Sequence, residues 1–218
     1  MKQHYTLLAG ALAIGLATSC AGTGTIHGRV ELPLTPPSDS AAAAVPLPHP
    51  APPPSVRDAV VYVQEVPEPV ERKLARKRGD EPAQMEQFHM RFTPRVLPVT
   101  VGDQVRIRNR DRVFHSAFSI SPAKHFDAGE YPPGQARLVK FDTLGVARIF
   151  CELHAGMEAT VFVLPHHEFT QPDATGDYAL PPLPQGHYVV CVWHPTLGET
   201  RREVDIGKKG SVRLDVRF

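Results

Sequence analysis

Between residues 85 and 165, short runs of apolar and β-branched residues alternate with turns that contain Gly, Pro or Asp. The pattern predicts strands at 96–100, 104–108, 114–120, 135–141, 146–150 and 159–164. The alternation of Phe88, Met90 and Phe92 with polar residues predicts a further strand. No run has the length and period of a long helix, so helix is expected to span a turn or two. The predicted fold class is therefore all-β, a sandwich or barrel.

The flanking segments extend this pattern in both directions. Residues 21–55 combine a predicted strand at 23–32 with a proline- and alanine-rich linker that has few large apolar side chains to bury. Residues 56–63 are β-branched and bounded by prolines, which favours a buried strand. Residues 166–218 contain further short strands, but they are marginal as an independent core. They are expected to pack on the preceding sandwich or to pair with the early strand.

Composition and charge exclude some classes of protein. The chain has 218 residues, with 24 Lys and Arg against 23 Asp and Glu, so no basic excess suggests a nucleic-acid partner. The 23 prolines disfavour an all-helical fold, and three cysteines are too few for a disulfide scaffold. Residues 65–82 are an exception to the even charge distribution, because they carry a basic cluster. We interpret them as a solvated excursion; the alternative is a docking patch for an acidic partner or lipid head groups.

Residues 1–20 have the pattern of an export signal. Lys2 precedes an apolar run at 7–17 that is too short to span a bilayer, and small residues then lead to Cys20. A cysteine at this point resembles the bacterial lipobox, although Ala17 stands where Leu is usual. The prediction is a periplasmic protein that is lipid-anchored at Cys20, with the outer membrane favoured, or else simply secreted.

The loop between the last two strands of the 85–165 segment carries the candidate chemistry. Cys151, His154 and Met157 follow one another at intervals of three residues. A thiolate, an imidazole and a thioether form a soft ligand set that suits copper in both oxidation states, and a second imidazole would complete a blue-copper site. His115, at a predicted turn-to-strand junction, is the best candidate for that second imidazole.

Other interpretations of these residues fit less well. A structural zinc site would need more thiolates or histidines, and the chain has no C-x-x-C-H sequence for covalent haem. A cysteine protease would not require Met157 on the same loop. The remaining alternative is purely structural, with Cys151 and Met157 in the core and His154 in a turn.

Residues 56–165 resemble a cupredoxin of the plastocyanin and amicyanin type, and more closely the plastocyanin-like "methylamine utilization" proteins. The resemblance rests on residues 56–64, 85–87, 92–94, 109–111, 119–124, 141–142, 151–157 and 193–195. It implies a Greek-key β-sandwich with one mononuclear copper site. His115 and His154 would be the imidazole ligands, Cys151 the thiolate and Met157 the axial thioether. Ser116 departs from the family, since many cupredoxins have at this position an asparagine that braces the ligand loop.

Residues 166–218 are similar to carboxypeptidase-regulatory or transthyretin-like β-domains, which are interaction or stabilising modules. Residues 24–30 look like the first strand of such a domain, so the cupredoxin-like part would then be inserted between its two pieces. Among the other residues, Cys191 is expected in the core and Trp193 in core or inter-domain packing. His166 and His167 are expected to be surface histidines, because neighbours on a strand point to opposite faces.

The predicted function is one-electron transfer between periplasmic redox partners by a type 1 copper protein. It is expected to be a monomer without enzymatic activity, to bind no nucleic acid, and to contact the membrane only through its lipid anchor. Two alternatives stay open: a copper carrier or sensor, and a metal-free interaction protein.

Overall fold

The structure is a computed structural model that describes residues 22–33, 53–208 and 210–218. The predicted signal peptide, Cys20 and most of the predicted linker lie outside the described residues. In chain order the described elements are β1 (Thr23–Gly24), β2 (Ile26–Glu31), β3 (Val60–Val63), α1 (Glu68–Arg78), β4 (Ala83–Gln87), β5 (Phe92–Thr93), β6 (Val96–Thr100), β7 (Gln104–Asn109), β8 (His115–Ser121), β9 (Lys124–Tyr131), β10 (Ala136–Lys140), β11 (Gly145–Phe150), β12 (Glu158–Leu164), β13 (Phe169–Thr170), β14 (Asp177–Ala179), β15 (Leu183–Pro184), β16 (Gly186–His194), β17 (Gly198–Ile206), β18 (Val212–Arg213) and β19 (Val216–Arg217). A short 3₁₀ turn, Val56–Asp58, precedes β3. The all-β prediction is confirmed.

Strands β4 to β12 form the first sandwich from two sheets. One sheet has the order β10-β7-β4-β5 and the other has the order β6-β12-β11-β8-β9. Burial alternates along β7, as expected for a strand with one face on the core. The core between the sheets is apolar and includes the fully buried side chains of Met85, Ile107, Phe141 and Ile149.

The second sandwich combines strands from both ends of the described chain. Its sheets have the orders β13-β3-β16-β17 and β14-β2-β18, with β19 also paired to β2. The early strand β2 therefore pairs with the C-terminal segment, and the first sandwich lies between the two pieces in sequence. Strand β3, which the resemblance groups with residues 56–165, pairs with β13 and β16 of the second sandwich. Its β-branched residues predicted a strand correctly, but a local pattern does not specify the partner.

A separate apolar cluster joins the two sandwiches. Val60 and the partly buried Trp193 come from the second sandwich, and Phe162 and Leu164 come from the first. The rings of Trp193 and Phe162 lie 4.5 Å apart, so the expected packing role of Trp193 is confirmed. Cys191 is buried, as expected, and its thiol is free of any disulfide among the described residues.

Helix α1, with 11 residues, corrects the expectation that helix spans only a turn or two, and it lies in the 65–82 segment that was expected to be solvated. Glu68 and Glu71 lie in its first turn, and basic residues fill its last turn before Gly79 ends it at φ 71°. This charge order complements the helix dipole. The segment has few apolar residues, so its hydrophobic pattern did not indicate a helix. Val70 packs against the core of the second sandwich, while no residue of the helix is fully buried. Among the described residues, no helix has the length and apolar character needed to cross a membrane.

A tight turn replaces the strand predicted from the alternation of Phe88, Met90 and Phe92. Strand β4 ends before Phe88, and the backbones of Phe88 and Arg91 exchange hydrogen bonds of 2.8 and 3.2 Å. The two residues between them, His89 and Met90, both have positive φ. The exposed Phe88 and Met90 side chains therefore belong to a turn and not to a pleated strand.

Candidate metal centre

Two neighbouring strands bring the candidate ligands together. His115 is the first residue of β8, and Cys151 directly follows β11, the strand to which β8 is hydrogen-bonded. Because the strands are antiparallel, the start of β8 and the end of β11 lie at the same end of the sandwich. The loop after Cys151 is tight: Cys151 N–H donates to the Met157 carbonyl at 3.2 Å, and Met157 N–H donates to the His154 carbonyl at 3.2 Å.

Three potential ligand atoms converge on one point. The Nδ1 atoms of His115 and His154 are 3.0 Å apart, and the Cys151 Sγ lies 3.7 Å from the first and 3.6 Å from the second. Imidazole nitrogen and thiolate sulfur bind a metal such as zinc at about 2.0–2.3 Å, so ligand atoms of one site lie roughly 3–4 Å apart. The three atoms fit this requirement. Within the described part of the chain, they form the one group of three or more His, Cys, Asp or Glu side chains that could hold a metal ion.

Met157 lies in the same buried cluster as Cys151. Its side chain is almost fully buried, and its backbone closes the ligand loop through the two hydrogen bonds described above. This placement agrees with a position beside the site. The assignment of its sulfur as an axial ligand stays a prediction.

Ser116, at the position where the resemblance implies an asparagine, braces the ligand loop. Its hydroxyl accepts a 2.8 Å hydrogen bond from Glu152 N–H, which ties the start of β8 to the ligand loop. Its backbone N–H lies 3.4 Å and its hydroxyl 3.8 Å from the Cys151 sulfur. Hydrogen bonds to a ligand atom orient that atom and tune the metal. The shorter serine side chain therefore still reaches the loop.

Asp111 is the residue at this site that our sequence reasoning did not single out as functional. Its Oδ2 lies 2.9 Å from His115 Nε2, on the side of the ring opposite Cys151. Burial acts to raise its pKa, but hydrogen bonds from Met90 N–H, the His115 ring and His89 N–H together lower it. The group is therefore a carboxylate at neutral pH. The available sequence signal was an acidic residue four positions before a candidate ligand.

The electrostatics favour neutral imidazole at His154. Burial and the neighbouring His115 ring lower the pKa of His154. A neutral ring keeps a lone pair on one nitrogen, which is the form that binds a metal. The site therefore holds an available ligand near neutral pH.

His154 is partly exposed, in contrast to the fully buried His115. Large apolar side chains that are 40–52% exposed occur on the three loops around the two rings. They are Phe88, Met90, Val113, Phe114 and Leu153. We call this set the apolar rim. Exposed apolar residues grouped around a site are typical of a contact surface for another protein.

The comparisons with known proteins give matches in structure only. No model of a protein family matches the chain, and no curated protein matches it in sequence. A Cu-containing nitrite reductase from Thermus scotoductus SA-01 is 22% identical with a TM-score of 0.37, over 38% of this chain and 22% of its own length. An oxidized mutant of amicyanin is 22% identical with a TM-score of 0.37, over 39% of this chain and 85% of its own. A purple cupredoxin from Nitrosopumilus maritimus is 24% identical with a TM-score of 0.35, over 38% of this chain and 99% of its own.

Proposed function

We propose that this chain is an exported copper protein that carries single electrons between protein partners. The observation that supports it best is the meeting of His115 Nδ1, His154 Nδ1 and Cys151 Sγ within 3.0–3.7 Å of one another. Two imidazoles and a thiolate, with a thioether on the same loop, form a set of borderline and soft donors, which suits copper better than calcium, magnesium or structural zinc. Copper, when bound, would supply a one-electron redox couple.

The surrounding residues suit this task because they hold the ligands in place. His115 and Cys151 are buried in the first sandwich, and Ser116 links their loops through Glu152 N–H. A ligand set fixed by packing and hydrogen bonds changes little between two oxidation states. The chain therefore avoids a large rearrangement at each transfer.

His154 and the apolar rim form the proposed docking surface. His154 is the one imidazole of the pair that reaches solvent, and Leu153 is next to it in the chain. A redox partner that covers the rim would exclude water and approach the ligand edge directly. We further propose that the export signal at 1–20 delivers the chain to the periplasm, where a lipid at Cys20 anchors it, and that the chain acts without enzymatic activity of its own.

The proposal is tested by copper titration of the full mature chain, followed by visible absorption and electron paramagnetic resonance. We expect one copper per chain and intense thiolate-to-copper absorption. Cys151→Ser is expected to abolish that absorption, whereas Cys191→Ser, at a buried cysteine in β16, is expected to retain it. Full colour in Cys151→Ser, or no copper in the wild type, would refute the site. Ready loss of Cu(I) to an acceptor would indicate copper delivery instead of electron transfer.

A further inference from the structure

One carboxylate connects the candidate metal centre to the exposed turn that follows β4. Asp111 Oδ1 accepts a hydrogen bond from His89 N–H at 2.7 Å, and Oδ2 accepts one from Met90 N–H at 2.9 Å. The same Oδ2 lies 2.9 Å from His115 Nε2. Asp111 therefore contacts both the turn and a candidate ligand.

The turn needs such an external partner. His89 and Met90 adopt φ values of 55° and 59°, which L-residues with a Cβ rarely adopt. Two-residue hairpin turns of this kind favour Asn or Gly, and this chain has neither at the two positions. The backbone N–H groups of both residues point to Asp111. The carboxylate therefore offsets a conformational cost that the turn sequence itself does not reduce.

Asp111 is itself held in place. Asn109, which is fully buried, accepts the Asp111 backbone N–H through Oδ1 at 3.0 Å. The Asn109 amide also donates to the carbonyl of Val113 at 2.8 Å and to that of Tyr131 at 3.2 Å. The loop between β7 and β8 is thus fixed from its base, and the carboxylate position follows from it.

The contact with Asp111 determines the tautomer of His115. A carboxylate only accepts hydrogen bonds, so Nε2 of the ring carries the proton. In the neutral ring, Nδ1 then has the free lone pair, and Nδ1 is the atom that faces Cys151 and His154. A carboxylate behind a metal-binding imidazole also increases the basicity of that ligand.

We infer that Asp111 is a positioning residue of the metal centre, which selects the metal-binding tautomer of His115 and couples it to the conformation of the 88–91 turn. The effect on copper rests on the proposed function. The effect on the tautomer does not, because it follows from hydrogen bonds within the chain.

The test is made in a variant whose 88–91 turn depends less on Asp111, so that the effect of Asp111 on the His115 ring can be measured by itself. Met90→Gly places a residue that tolerates positive φ at one of the two positions, so the turn depends less on Asp111 for its conformation. In this background of the full chain, Asp111→Ala is compared with Asp173→Ala. Asp173 is a matched control, because it also accepts two backbone N–H groups in a turn, those of Thr175 and Asp177. It lies in the second sandwich.

Two measurements follow. Nitrogen NMR of the copper-free chain, above the ordinary pKa of histidine, reports the His115 tautomer, and competition titration reports Cu(II) affinity. We expect the background and the Asp173→Ala variant to keep the Nε2–H tautomer. Asp111→Ala is expected to yield a mixture of tautomers and a loss of about 10- to 100-fold in Cu(II) affinity.

An unchanged His115 tautomer in Asp111→Ala overturns the inference, and so does an unchanged Cu(II) affinity in a chain that binds copper. If the wild type binds no copper, the proposed function fails, and the tautomer, which needs no metal, still decides the role of Asp111. Thermal unfolding of the two double variants checks that both remain folded.

Discussion

Glu168 gives the stability of this protein a strong expected dependence on pH. Its side chain is fully buried just before β13, and neither carboxyl oxygen has a hydrogen-bond partner among the described residues. Burial, together with the nearby Glu71 carboxylate, raises the pKa of Glu168 from its ordinary value of 4.5 to about 8. The folded protein therefore keeps this group protonated at neutral pH, whereas the unfolded chain releases the proton.

The sign and size of the effect follow from proton linkage. Between pH 4.5 and about 8, the unfolded state binds fewer protons at this group than the folded state does. The free energy of unfolding then falls as pH rises, by about 1.4 kcal/mol per pH unit. Over the whole interval, this amounts to about 5 kcal/mol, which is a large part of a typical domain stability of about 5–15 kcal/mol.

Glu168→Gln removes the proton release but keeps the shape of the side chain. At about pH 5, the variant and the wild type should have similar stability, because each buries an uncharged polar group at about 1–3 kcal/mol. At about pH 9, the variant should be more stable by several kcal/mol. Urea unfolding across this range measures both curves. Burial lowers the pKa of His166, so this histidine lowers the free energy of unfolding only as the pH falls. Its contribution is the same in the wild type and in the variant, and it therefore cancels in the comparison.

The control is Glu203→Gln, at an exposed carboxylate whose His187 contact is 3.9 Å long. Its stability curve should run parallel to that of the wild type. If the Glu168→Gln curve does the same between about pH 5 and about pH 9, Glu168 is not the buried protonated acid described here, and the reasoning fails.

Three further predictions concern the site and its support. Met157→Leu should retain copper and raise the reduction potential, measured by voltammetry, because the thioether stabilises Cu(II) more than a hydrocarbon does; an unchanged potential would remove Met157 from the ligand set. Asn109→Ala should lower the free energy of unfolding in urea by about 2–4 kcal/mol, because several buried hydrogen bonds are lost at once; a loss below about 1 kcal/mol would contradict this. Asp58→Ala should cost about 1–3 kcal/mol, since the largely buried Asp58 pairs with Arg95 between the two sandwiches; thermal unfolding equal to wild type would show that the pair contributes nothing.

The sequence predicted well those features that depend on local pattern. The strands on each side of the 151–157 loop follow from their β-branched and apolar runs, and β11 and β12 lie where they were expected. The meeting of His115 with Cys151 and His154 could be predicted because the ligand types and the turn-to-strand junction were both visible in the chain.

Features that depend on tertiary contacts could not be predicted in the same way. His166 was expected at the surface, but it is buried, and so is Glu168 two residues later. Helix α1 is stabilised by charge order at its ends and by packing of Val70, and neither produces a strong apolar period. The role of Asp111 depends on a turn whose two central residues carry no usual turn signature.

The interleaved order of strands also gives the two sandwiches different separations between their strands along the sequence. All strands of the first sandwich are present once residue 164 has been made. The second sandwich needs distant pieces of the chain, because Val30 in β2 pairs with Val216 in β19. The unit that carries His115 and Cys151 can therefore form from one continuous stretch of chain, whereas β2 gains β19 as a neighbour only after a long loop has closed, so we expect this pairing to be the slower step of folding.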